Sequence, residues 1–523
     1  MEGLPTIRDL IQPGDYLIKV DLSNAYLTIP VHPKSRPYLS FKHRGETYSF
    51  KAMPFGLASA PRTFSKLMKD VLEPLRKQGF RLTYYLDDIC LMNQLEVQAK
   101  NQAKLLIKHH QALGFIINEK KSELMPKKQQ IFLGFEINTM TMKIKLPKEK
   151  VARIRQDIRF AKTKPRTARQ IASLAGLLAS KAPAVRPAFI FQRRLQRNLA
   201  KHLQRTNQGW EKVIPLSKET IEDLKKWEIF LDLHNGLQVR IPPPDETVNI
   251  MTDASGTGWG IVSTHLTTHG QWTNPEKKAS SNQKELRAIL FALKLHTRHW
   301  ENKHKRIKTD NKTAVAYIQN QGGRVSLPLL DIATGIWEIC LRHNIQITAE
   351  YLPGKQNADA DRESRRKTSQ HEWQLPEEAW RLINKNWGER VIDLFAARNN
   401  MRHPRFFNMK PDPDAEAINA VTQIWPTKGA YANPPWILLP RVLREITLRK
   451  LEEIVVIIPN WTTQPWIAQA LNLTIQPPVI LDLQHLDSPK ALPRHPAQVI
   501  AWKLSGMRSK HREFLSVTVF EDC

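Results

Sequence analysis

The sequence is short of the features that mark secreted, zinc-binding or membrane-spanning proteins. Its 523 residues include only three cysteines, Cys90, Cys340 and Cys523, which lie too far apart for a zinc motif and fit a reducing compartment. No run of about 18 apolar residues is present, and the opening MEGLPTIRDL is too polar for a secretory signal. The sequence therefore predicts an intracellular protein without a membrane partner.

Acidic residues are also scarce relative to basic ones. The chain has 79 Lys and Arg against 50 Asp and Glu, which gives a formal net charge of +29 and a pI of about 10.0. An excess of this size favours a polyanionic partner, and nucleic acid is the most plausible one. The length and a hydrophobic fraction of 41% predict several folded domains rather than a disordered chain.

Composition and hydrophobic periodicity divide the chain into four segments. The first mixes strands and helices, the second is helical and very basic, and the last two alternate strand with helix. In chain order they are residues 1–146, 147–240, 247–366 and 385–505. IPPPDE at 241–246 predicts a stiff polyproline-like break, and SRRKTSQHEWQLPEE at 364–378 predicts a polar linker.

Two aspartates stand side by side in YYLDDIC, residues 84–90, a stretch that otherwise predicts a buried strand. A buried, unpaired carboxylate costs several kcal/mol. Asp87 and Asp88 therefore lie in an ordinary tight turn or are balanced by divalent metal. RLTYYLDDICLM predicts a hairpin with the pair at its tip, and Asp21 closes an earlier strand. Three clustered carboxylates would suit a two-metal site for phosphoryl transfer.

Four segments, in order and spacing, resemble the palm motifs of reverse transcriptases: VDLSNAYLTIPVHP, FKAMPFGLASAPRTFSKLM, YYLDDIC and FLGFEI. The resemblance implies RNA-directed DNA synthesis in a palm over residues 1–146. Asp21, Asp87 and Asp88 match the catalytic metal ligands, with Asp88 the looser one. The implied metal is Mg²⁺, two ions per site, with Mn²⁺ as an alternative. The implied partners are an RNA template, a DNA primer and deoxynucleoside triphosphates.

The same resemblance gives roles to two residues near the acids, and each has a plainer structural alternative. Tyr26 matches a position near the incoming sugar, where a bulky ring would exclude a ribose 2′-hydroxyl. Its alternative is an ordinary half-buried strand tyrosine. Lys121 in NEKKSEL matches a lysine suspected of protonating pyrophosphate, and a solvated surface lysine is its alternative.

Two loops of the first segment also match substrate-binding parts of the family. Pro54, Phe55 and Gly56 match the loop that lines nucleotide and template, where glycine allows close backbone approach. The alternative is a simple turn. Leu133 and Gly134 in FLGFEI match the segment that grips the primer, and a plain β-hairpin is the alternative.

A second set of acids occupies residues 247–366. VNIMTDASGTGWG predicts a strand carrying Asp253, and Glu285 begins the helix SSNQKELRAILFALKLH. Asp310 ends the strand in RIKTDNKTAVAYI, and Asp361 lies near the start of the last helix, in YLPGKQNADADRESR. This order of acids resembles ribonuclease H. The resemblance implies that the four hold two metal ions, which activate water against the RNA strand of an RNA–DNA hybrid.

Plainer alternatives remain open for this part of the chain. Asn282 with Glu285 could form only a capping box. Asp359 is a rival for Asp361, although the family spacing from Asn357 favours Asp361. Residues 147–240 would be thumb and connection, with Arg and Lys following the phosphate backbone, although a solvated helical face accounts for part of that charge.

The last segment resembles the region after ribonuclease H in DIRS-like, tyrosine-recombinase retrotransposons, which is similar to Dam-type adenine-N6 methyltransferases. The resemblance rests on VIDLFAARNN and NPPW. It implies a Rossmann-like fold, S-adenosylmethionine as cofactor and a catalytic tetrapeptide, Asn433, Pro434, Pro435 and Trp436. DLFAARNN lacks the glycines that let a backbone approach the cofactor, so an inert nucleic-acid-binding remnant is preferred to methyl transfer.

The expected fold is therefore a multidomain α+β and α/β chain: palm, helical thumb and connection, ribonuclease H-like domain and Rossmann-like methyltransferase-type domain. Finger strands upstream of Asp21 and a recombinase set after residue 505 are not evident, so we expect a piece of an element with a separate tyrosine recombinase. The resemblance implies the nucleus. Two functions stay open: a polymerase with ribonuclease H, or a weak nucleic-acid-binding relic that retains at most hybrid cleavage.

Overall fold

The computed structural model describes residues 2–207, 209–240, 250–366, 373–461, 463–482 and 498–511. Contacts divide the chain into two compact units, Met1–Pro242 and Pro243–Cys523, each with a mixed α/β fold. The predicted break at 241–246 and residues 367–372 of the predicted linker lie outside the described residues.

The first unit begins with a strand-rich region and continues into helices. Its elements are α1 (Leu4–Leu10), β1 (Tyr16–Ser23), β2 (Ser40–His43), β3 (Glu46–Ser49), α2 (Ala60–Lys77), β4 (Arg81–Tyr85), β5 (Asp88–Asn93), α3 (Glu96–Ala112), β6 (Ile116–Ile117), β7 (Glu123–Lys127), β8 (Gln129–Phe132), β9 (Phe135–Asn138), β10 (Lys143–Lys145), α4 (Lys148–Thr163), β11 (Arg166–Thr167), α5 (Ala168–Ala179), α6 (Arg193–Arg205), β12 (Val213–Ile214), α7 (Lys218–Leu233) and β13 (Leu237–Gln238).

An antiparallel sheet is the centre of this unit. Its strand order is β4–β5–β1–β6, and β7 also pairs with β1. The apolar periodicity of SKLMKDVLEPLRKQG predicts an amphipathic helix, and this is confirmed by α2, which buries Phe64, Met68 and Leu72 at the four-residue spacing of one helical face. These side chains pack with apolar residues of β1, β4, β5 and α3 in one core, which holds the central strands in place.

The predicted helical stretch that follows is confirmed by α4, α5, α6 and α7. Thr167 caps α5 through a capping box with Gln170, and Ser217 caps α7. Strands β8, β9 and β10 precede these helices in the chain, and β13 follows them. The four strands form a small sheet with the order β13–β10–β9–β8. QIASLAGLLAS buries Ile171, Leu174 and Leu178, as expected for core packing.

The second unit contains two sheets in succession. Its elements are β14 (Ile250–Ala254), β15 (Gly258–Ser263), β16 (Thr267–Gln271), α8 (Asn274–Lys277), α9 (Ser281–Trp300), β17 (His304–Thr309), α10 (Lys312–Gln319), α11 (Leu327–Arg342), β18 (Gln346–Tyr351), α12 (Ala358–Ser364), α13 (Glu377–Trp387), β19 (Ile392–Asp393), β20 (Phe407–Asn408), β21 (Ala417–Ile418), β22 (Ala430–Ala432), α14 (Leu439–Leu448), β23 (Ile454–Pro459), α15 (Pro465–Leu473), β24 (Val479–Asp482) and β25 (Gln498–Leu504).

The first of these sheets has the order β16–β15–β14–β17–β18, with β14, β17 and β18 parallel. Helix α9 packs on it through the apolar stripe that includes Leu286, Ile289 and Leu293. The alternative of a capping box between Asn282 and Glu285 is wrong, because Ser280 caps the helix together with Gln283. Glu285 therefore lies in the second turn, and its carboxylate is not used for capping.

The second sheet has the order β19–β22–β23–β25–β24, in which β19, β22 and β23 are parallel and β25 runs antiparallel to β23. All six residues of β23 are buried, as the apolar sequence EEIVVIIP predicts. The predicted linker needs correction, because Trp373 and Leu375 are buried in the core against this sheet. No helix within the described ranges is long and apolar enough to cross a bilayer.

Candidate metal centres

The first candidate centre lies where two neighbouring strands of the antiparallel sheet present acids. Asp21 on β1 stands directly opposite Asp88, the first residue of β5. Strand β4 pairs with β5 so that Tyr85 faces Asp88, which leaves Leu86 and Asp87 as the two-residue hairpin loop. The Leu22 amide donates to the Asp87 carbonyl at 2.9 Å, so Asp87 is held beside β1 as well. The three aspartates predicted from the sequence are thus brought to one end of β1 and β5.

The loop that carries Asp87 has an unusual backbone. Leu86 has a φ of +54°, a left-handed conformation that side chains with a Cβ seldom adopt. Such a conformation costs on the order of 1–3 kcal/mol and persists only where the surrounding structure enforces it. Pairing on both sides of β5 supplies that enforcement. The strain sits at the tip that presents two acids.

The carboxylates of this centre are only partly balanced by lysines. Burial and the nearby Asp88 and Asp87 raise the pKa of Asp21, and Lys121 and Lys19 oppose that rise. The Lys19 ammonium lies 3.0 Å from Asp88 Oδ1, yet the pair lacks hydrogen-bond alignment. Asp21 Oδ1 and Asp88 Oδ1 are both buried without a hydrogen bond in the described part of the chain. Orphaned carboxylate oxygens on facing residues fit a bound divalent cation.

Tyr26 lies beside this centre on a short 3₁₀ helix rather than on the strand that its plainer alternative assumed. Its side chain is buried, with the ring 5.1 Å from that of Phe55 and 5.4 Å from that of Phe64. Burial and Asp87 raise the pKa of Tyr26, so its hydroxyl stays protonated near the acids. Phe55 is 64% exposed, and Pro54 is buried. Tyr26 and Phe55 form an aromatic wall beside the acids.

Of the other residues predicted in this unit, Lys121 lies near the acids, Gly56 lies in a turn, and Leu133 and Gly134 lie in a β-hairpin. Lys121 is exposed and close enough to lower the pKa of Asp21. Gly56 has a φ of +87°, which favours glycine, and a Cβ added there would meet no protein atom within 4 Å. Leu133 and Gly134, with φ of +50° and +77°, form the two-residue loop between β8 and β9. FLGFEI is a tight β-hairpin, and its contact with a primer stays a prediction, as does the contact of the Pro54–Gly56 loop with nucleotide.

The second candidate centre joins three acids from separate elements of the second unit. Oxygen atoms of Asp253 on β14, Glu285 on α9 and Asp310 after β17 all lie within 4.8 Å of one another. Asp253 and Glu285 are each 5% exposed. Parallel pairing of β14 with β17 brings the first and third acids to the same edge, and α9 packs across β14. Three carboxylates at this separation suit oxygen-coordinated divalent ions.

Charge repulsion is strong in this second centre. Burial, followed by Asp253 and Asp310, raises the pKa of Glu285 to about 9. Burial, Asp310 and Asp361 raise the pKa of Asp253, and a hydrogen bond from Ser364 opposes this. Glu285 Oε2 is buried and has no hydrogen bond among the described residues. A cation would relieve the same repulsion that now favours protonation.

Asp361 lies next to this cluster but outside the group of three. It is half-buried on α12 and pairs with Arg365 at 2.7 Å, whereas its rival Asp359 is exposed and pairs with Arg362. Asp361 still raises the pKa of Asp253, so the two carboxylates are close. The structure therefore brings three of the four predicted acids together and places the fourth at their margin.

The sequence-based prediction missed two residues that contact the acids, Ser364 and Lys19. Ser364 Oγ donates to Asp253 Oδ2 at 2.6 Å and fixes the carboxylate against α12. This serine lies inside the quoted YLPGKQNADADRESR, but its contact with Asp253 depends on how closely α12 packs on the sheet, which the motif does not give. Lys19 did carry a signal, since it lies two residues before Asp21 and therefore on the same face of the strand.

The NPPW residues follow β22, at the carboxyl end of the parallel strands. Asn433 Oδ1 is buried without a hydrogen bond among the described residues. Trp436 is 8% exposed and packs edge-on against Trp461, with ring centroids 4.8 Å apart. Asp393 is fully enclosed and accepts hydrogen bonds from the amides of its own loop, at Phe395 and Arg402. Both carboxylate oxygens of Asp393 are therefore already used by its own loop.

Comparison with known proteins supports one domain directly. The model of the family described as "Reverse transcriptase (RNA-dependent DNA polymerase)" matches residues 3–137. Residues 3–137 therefore resemble a reverse transcriptase domain, and the chain is similar to viral and retrotransposon polyproteins.

Curated relatives extend the similarity beyond that domain. The chain is 24% identical over 374 residues to a putative enzymatic polyprotein of Cassava vein mosaic virus, across 68% of this chain and 53% of the relative. It is 25% identical to the enzymatic polyprotein of Cauliflower mosaic virus (strain D/H), across 67% and 50%. It is 24% identical to the retrovirus-related Pol polyprotein from transposon gypsy of Drosophila melanogaster, across 70% and 34%. The chain spans about half or less of the length of these relatives.

Among solved structures, the foamy viral protease-reverse transcriptase in complex with RNA/DNA hybrid matches with a TM-score of 0.42 and 19% identity. The match covers 71% of this chain and 49% of that one. The same protein in complex with dsDNA gives a TM-score of 0.41 and 20% identity, over 67% and 70%. Likeness at this level does not establish a common fold.

Proposed function

We propose that the chain is an RNA-directed DNA polymerase with ribonuclease H activity from a retrotransposon, and that both reactions are two-metal phosphoryl transfers. The observation that carries the proposal is the pairing of Asp21 with Asp88 across β1 and β5, with one buried oxygen of each left without a hydrogen bond. The reverse transcriptase family match covers these acids.

In the first centre, Asp21, Asp87 and Asp88 would hold Mg²⁺, or Mn²⁺ in its place. Bound metal supplies a more nucleophilic 3′-hydroxyl and neutralises the leaving pyrophosphate. Tyr26 and Phe55 would bound the sugar of the incoming deoxynucleoside triphosphate and exclude a 2′-hydroxyl. Lys121, which is exposed and close enough to lower the pKa of Asp21, would meet the charge of the leaving group.

In the second centre, Asp253, Glu285 and Asp310 would hold the metal ions, with Asp361 joining from the margin when Arg365 releases it. Bound metal supplies an activated water for attack on a phosphodiester of RNA. Ser364 keeps Asp253 oriented through its 2.6 Å hydrogen bond. This arrangement supports hydrolysis of the RNA strand of an RNA–DNA hybrid.

The charge of the chain supports an RNA template and a DNA primer as partners. An excess of 29 positive charges favours binding that depends on phosphates and weakens with salt. The exposed β2–β3 hairpin also combines stacked rings, Phe41 and Tyr48 at 5.8 Å, with Lys42 and Arg44. Aromatic and cationic side chains together suit single-stranded nucleic acid.

The finer assignments belong to the same proposal. NPPW and DLFA favour a DIRS-like element, with a separate tyrosine recombinase and a nuclear destination. The C-terminal sheet, with β19, β22 and β23 parallel, supports a Rossmann-like remnant that binds nucleic acid without methyl transfer.

A second candidate function, hybrid cleavage without DNA synthesis, has one observation in its favour. Among the described residues, only Asp253, Glu285 and Asp310 form a group of three candidate ligands within 4.8 Å. The palm aspartates converge on one end of the sheet but do not meet that spacing.

The deciding experiment measures primer extension on an RNA template and cleavage of an RNA–DNA hybrid by the full chain with Mg²⁺. Asp87→Asn should reduce extension by at least about a thousandfold and leave cleavage within twofold, because it changes one centre only. Asp70→Asn, an exposed aspartate of α2, is the matched control. Extension that is unchanged in Asp87→Asn would refute the polymerase assignment, and cleavage without any extension would support the second candidate.

A further inference from the structure

One segment of the C-terminal region, residues 398–414, lies against α9, which carries one acid of the second centre, and against β16, which contacts the helix that carries another. Within the second unit, this 398–414 segment contacts α8 and α9 on one side and β16 on the other. Helix α9 carries Glu285, and β16 is joined to α12, which carries Asp361. The segment thus touches the supports of two acids while lying outside the cluster itself.

Arg398 makes the contact with α8 and α9. Its side chain is 10% exposed and donates to Glu276 Oε1 at 2.8 Å and to Asp414 Oδ2 at 2.5 Å. The guanidinium also stacks over Phe291 of α9 at 4.4 Å. Asp414 in turn pairs with Lys294 of α9 at 2.6 Å. One ion pair and one ring contact therefore fasten the segment to α9, the helix of Glu285, and a second ion pair fastens it to α8.

Lys410 makes the contact with β16. Its ammonium lies 3.4 Å from Nε2 of His269, which must accept, because an ammonium only donates. His269 Nδ1 therefore carries the proton and donates to Glu363 Oε2 at 2.7 Å. Burial and Lys410 lower the pKa of His269, which agrees with a neutral ring. Thr268 adds a hydrogen bond to the Pro411 carbonyl at 2.8 Å.

Helix α12 has little freedom to shift independently of these contacts. A Cβ at Gly260 would collide with the backbone of α12 at Ala360 and Ser364, so the helix lies directly on β15. Glu363 belongs to the same short helix as Asp361 and Ser364. A displacement of His269 that moves Glu363 should therefore also move Ser364, which orients Asp253, and Asp361, the fourth acid.

We propose that the 398–414 segment is a brace that positions α9 and α12, so that the C-terminal region is a required part of the acidic centre. Arg398, Lys410 and His269 are positioning residues in this proposal. The claim of positioning rests on the proposed hydrolysis function, whereas the claim of mechanical coupling does not, and the two are measured separately.

The experiment compares Arg398→Met, Arg398→Lys and Lys410→Met in the full chain with Arg441→Ala, an exposed arginine of α14 away from the segment. Hydrogen exchange of residues 358–364 and 281–300 reports coupling. Hybrid cleavage, measured well below each variant's melting temperature, reports kcat, KM and the Mg²⁺ concentration for half-maximal rate.

We expect Arg398→Met to speed exchange in α9 and α12, to lower kcat at least tenfold, to raise the half-maximal Mg²⁺ concentration and to leave KM for the hybrid unchanged. Arg398→Lys should recover part of each effect, and Lys410→Met should affect α12 more than α9. Arg441→Ala should change nothing.

Unchanged exchange in both Lys410→Met and Arg398→Lys would overturn the brace, even if Arg398→Met failed to fold. Faster exchange with unchanged kcat and Mg²⁺ dependence would overturn the positioning role. If the wild-type chain cleaved no hybrid, the proposed hydrolysis would fail, and the exchange data would still decide whether the coupling exists.

Discussion

The two acidic centres balance the negative charge of their carboxylates in different ways. In the first centre, Asp21 and Asp88 face each other on adjacent strands, and Lys19 and Lys121 supply nearby positive charge. In the second centre, three carboxylates share one buried site, and the pKa of Glu285 rises to about 9. Lysines balance the negative charge of the first centre, whereas protonation of Glu285 balances that of the second centre without metal.

This difference has a consequence for metal dependence. Lysines fixed beside the carboxylates balance part of their negative charge when metal is absent. The same ammonium groups compete with metal ions for the carboxylates. A centre compensated by protonation must release a proton when metal binds, so its metal affinity rises with pH. Removal of metal by a chelator should therefore lower the stability of the second unit more than that of the first. In the metal-free chain, alkaline pH should also lower the stability of the second unit more.

The largest expected effect is on the stability of the metal-free second unit. The folded pKa of Glu285 lies above its ordinary value of 4.5, so the folded state holds an extra proton between about 4.5 and 9. The free energy of unfolding should therefore fall as pH rises through that window, by several kcal/mol. Glu285→Gln should remove most of this fall.

Urea titrations in EDTA at pH 5, 7 and 9 measure that effect, followed through the unfolding transition of the second unit. Added Mg²⁺ should restore stability to the wild type at pH 8 and not to Glu285→Gln. Wild-type stability that is flat across this pH range would contradict a buried, proton-compensated cluster.

A smaller effect is expected when the lysine compensation of the first centre is removed. Lys19→Met takes away an ammonium that lies 3.0 Å from Asp88 Oδ1 and competes with a metal ion for these carboxylates, so metal binding should strengthen. The Mg²⁺ concentration for half-maximal primer extension should fall about tenfold, equivalent to ~1.4 kcal/mol. Lys104→Met on the exposed face of α3 is the control. An unchanged Mg²⁺ dependence would argue against electrostatic compensation.

The smallest effect compares one serine from each centre. Ser364 donates to the carboxylate of Asp253, whereas Ser122 accepts only from the backbone amide of Asp21. Ser364→Ala should lower the rate of hybrid cleavage about fivefold, because a typical lost hydrogen bond costs about 1 kcal/mol. Ser122→Ala should change extension less than twofold. Equal effects in the two assays would show that the serines do not distinguish the centres.

Local patterns in the sequence predicted much of the palm. The alternation in RLTYYLDDICLM and the acids at its centre were enough for the hairpin β4–β5, because hairpin pairing joins residues close in sequence. The stripe of α2 was equally clear. Placing Asp21 opposite Asp88 also needed the pairing of β1 with β5, and that required the resemblance to a known family.

Local sequence patterns did not predict contacts between segments that are far apart in the chain. Asn282 and Glu285 have capping-box spacing, but Ser280 caps the helix and Glu285 lies beside Asp253 and Asp310 instead. Trp373 and Leu375 lie in a polar stretch and are buried only because the C-terminal sheet offers a core. The contact of Arg398 with Glu276 joins residues more than a hundred positions apart in the chain, and no spacing rule predicts it.

The most direct test of the two-centre arrangement counts bound metal. Electron paramagnetic resonance titration of the full chain with Mn²⁺ should show two independent sets of sites in the wild type. Asp88→Asn should abolish or weaken one set, Asp310→Asn the other, and each variant should leave the remaining set unchanged. Mn²⁺ binding that neither substitution alters would contradict the convergence of these acids into two metal centres.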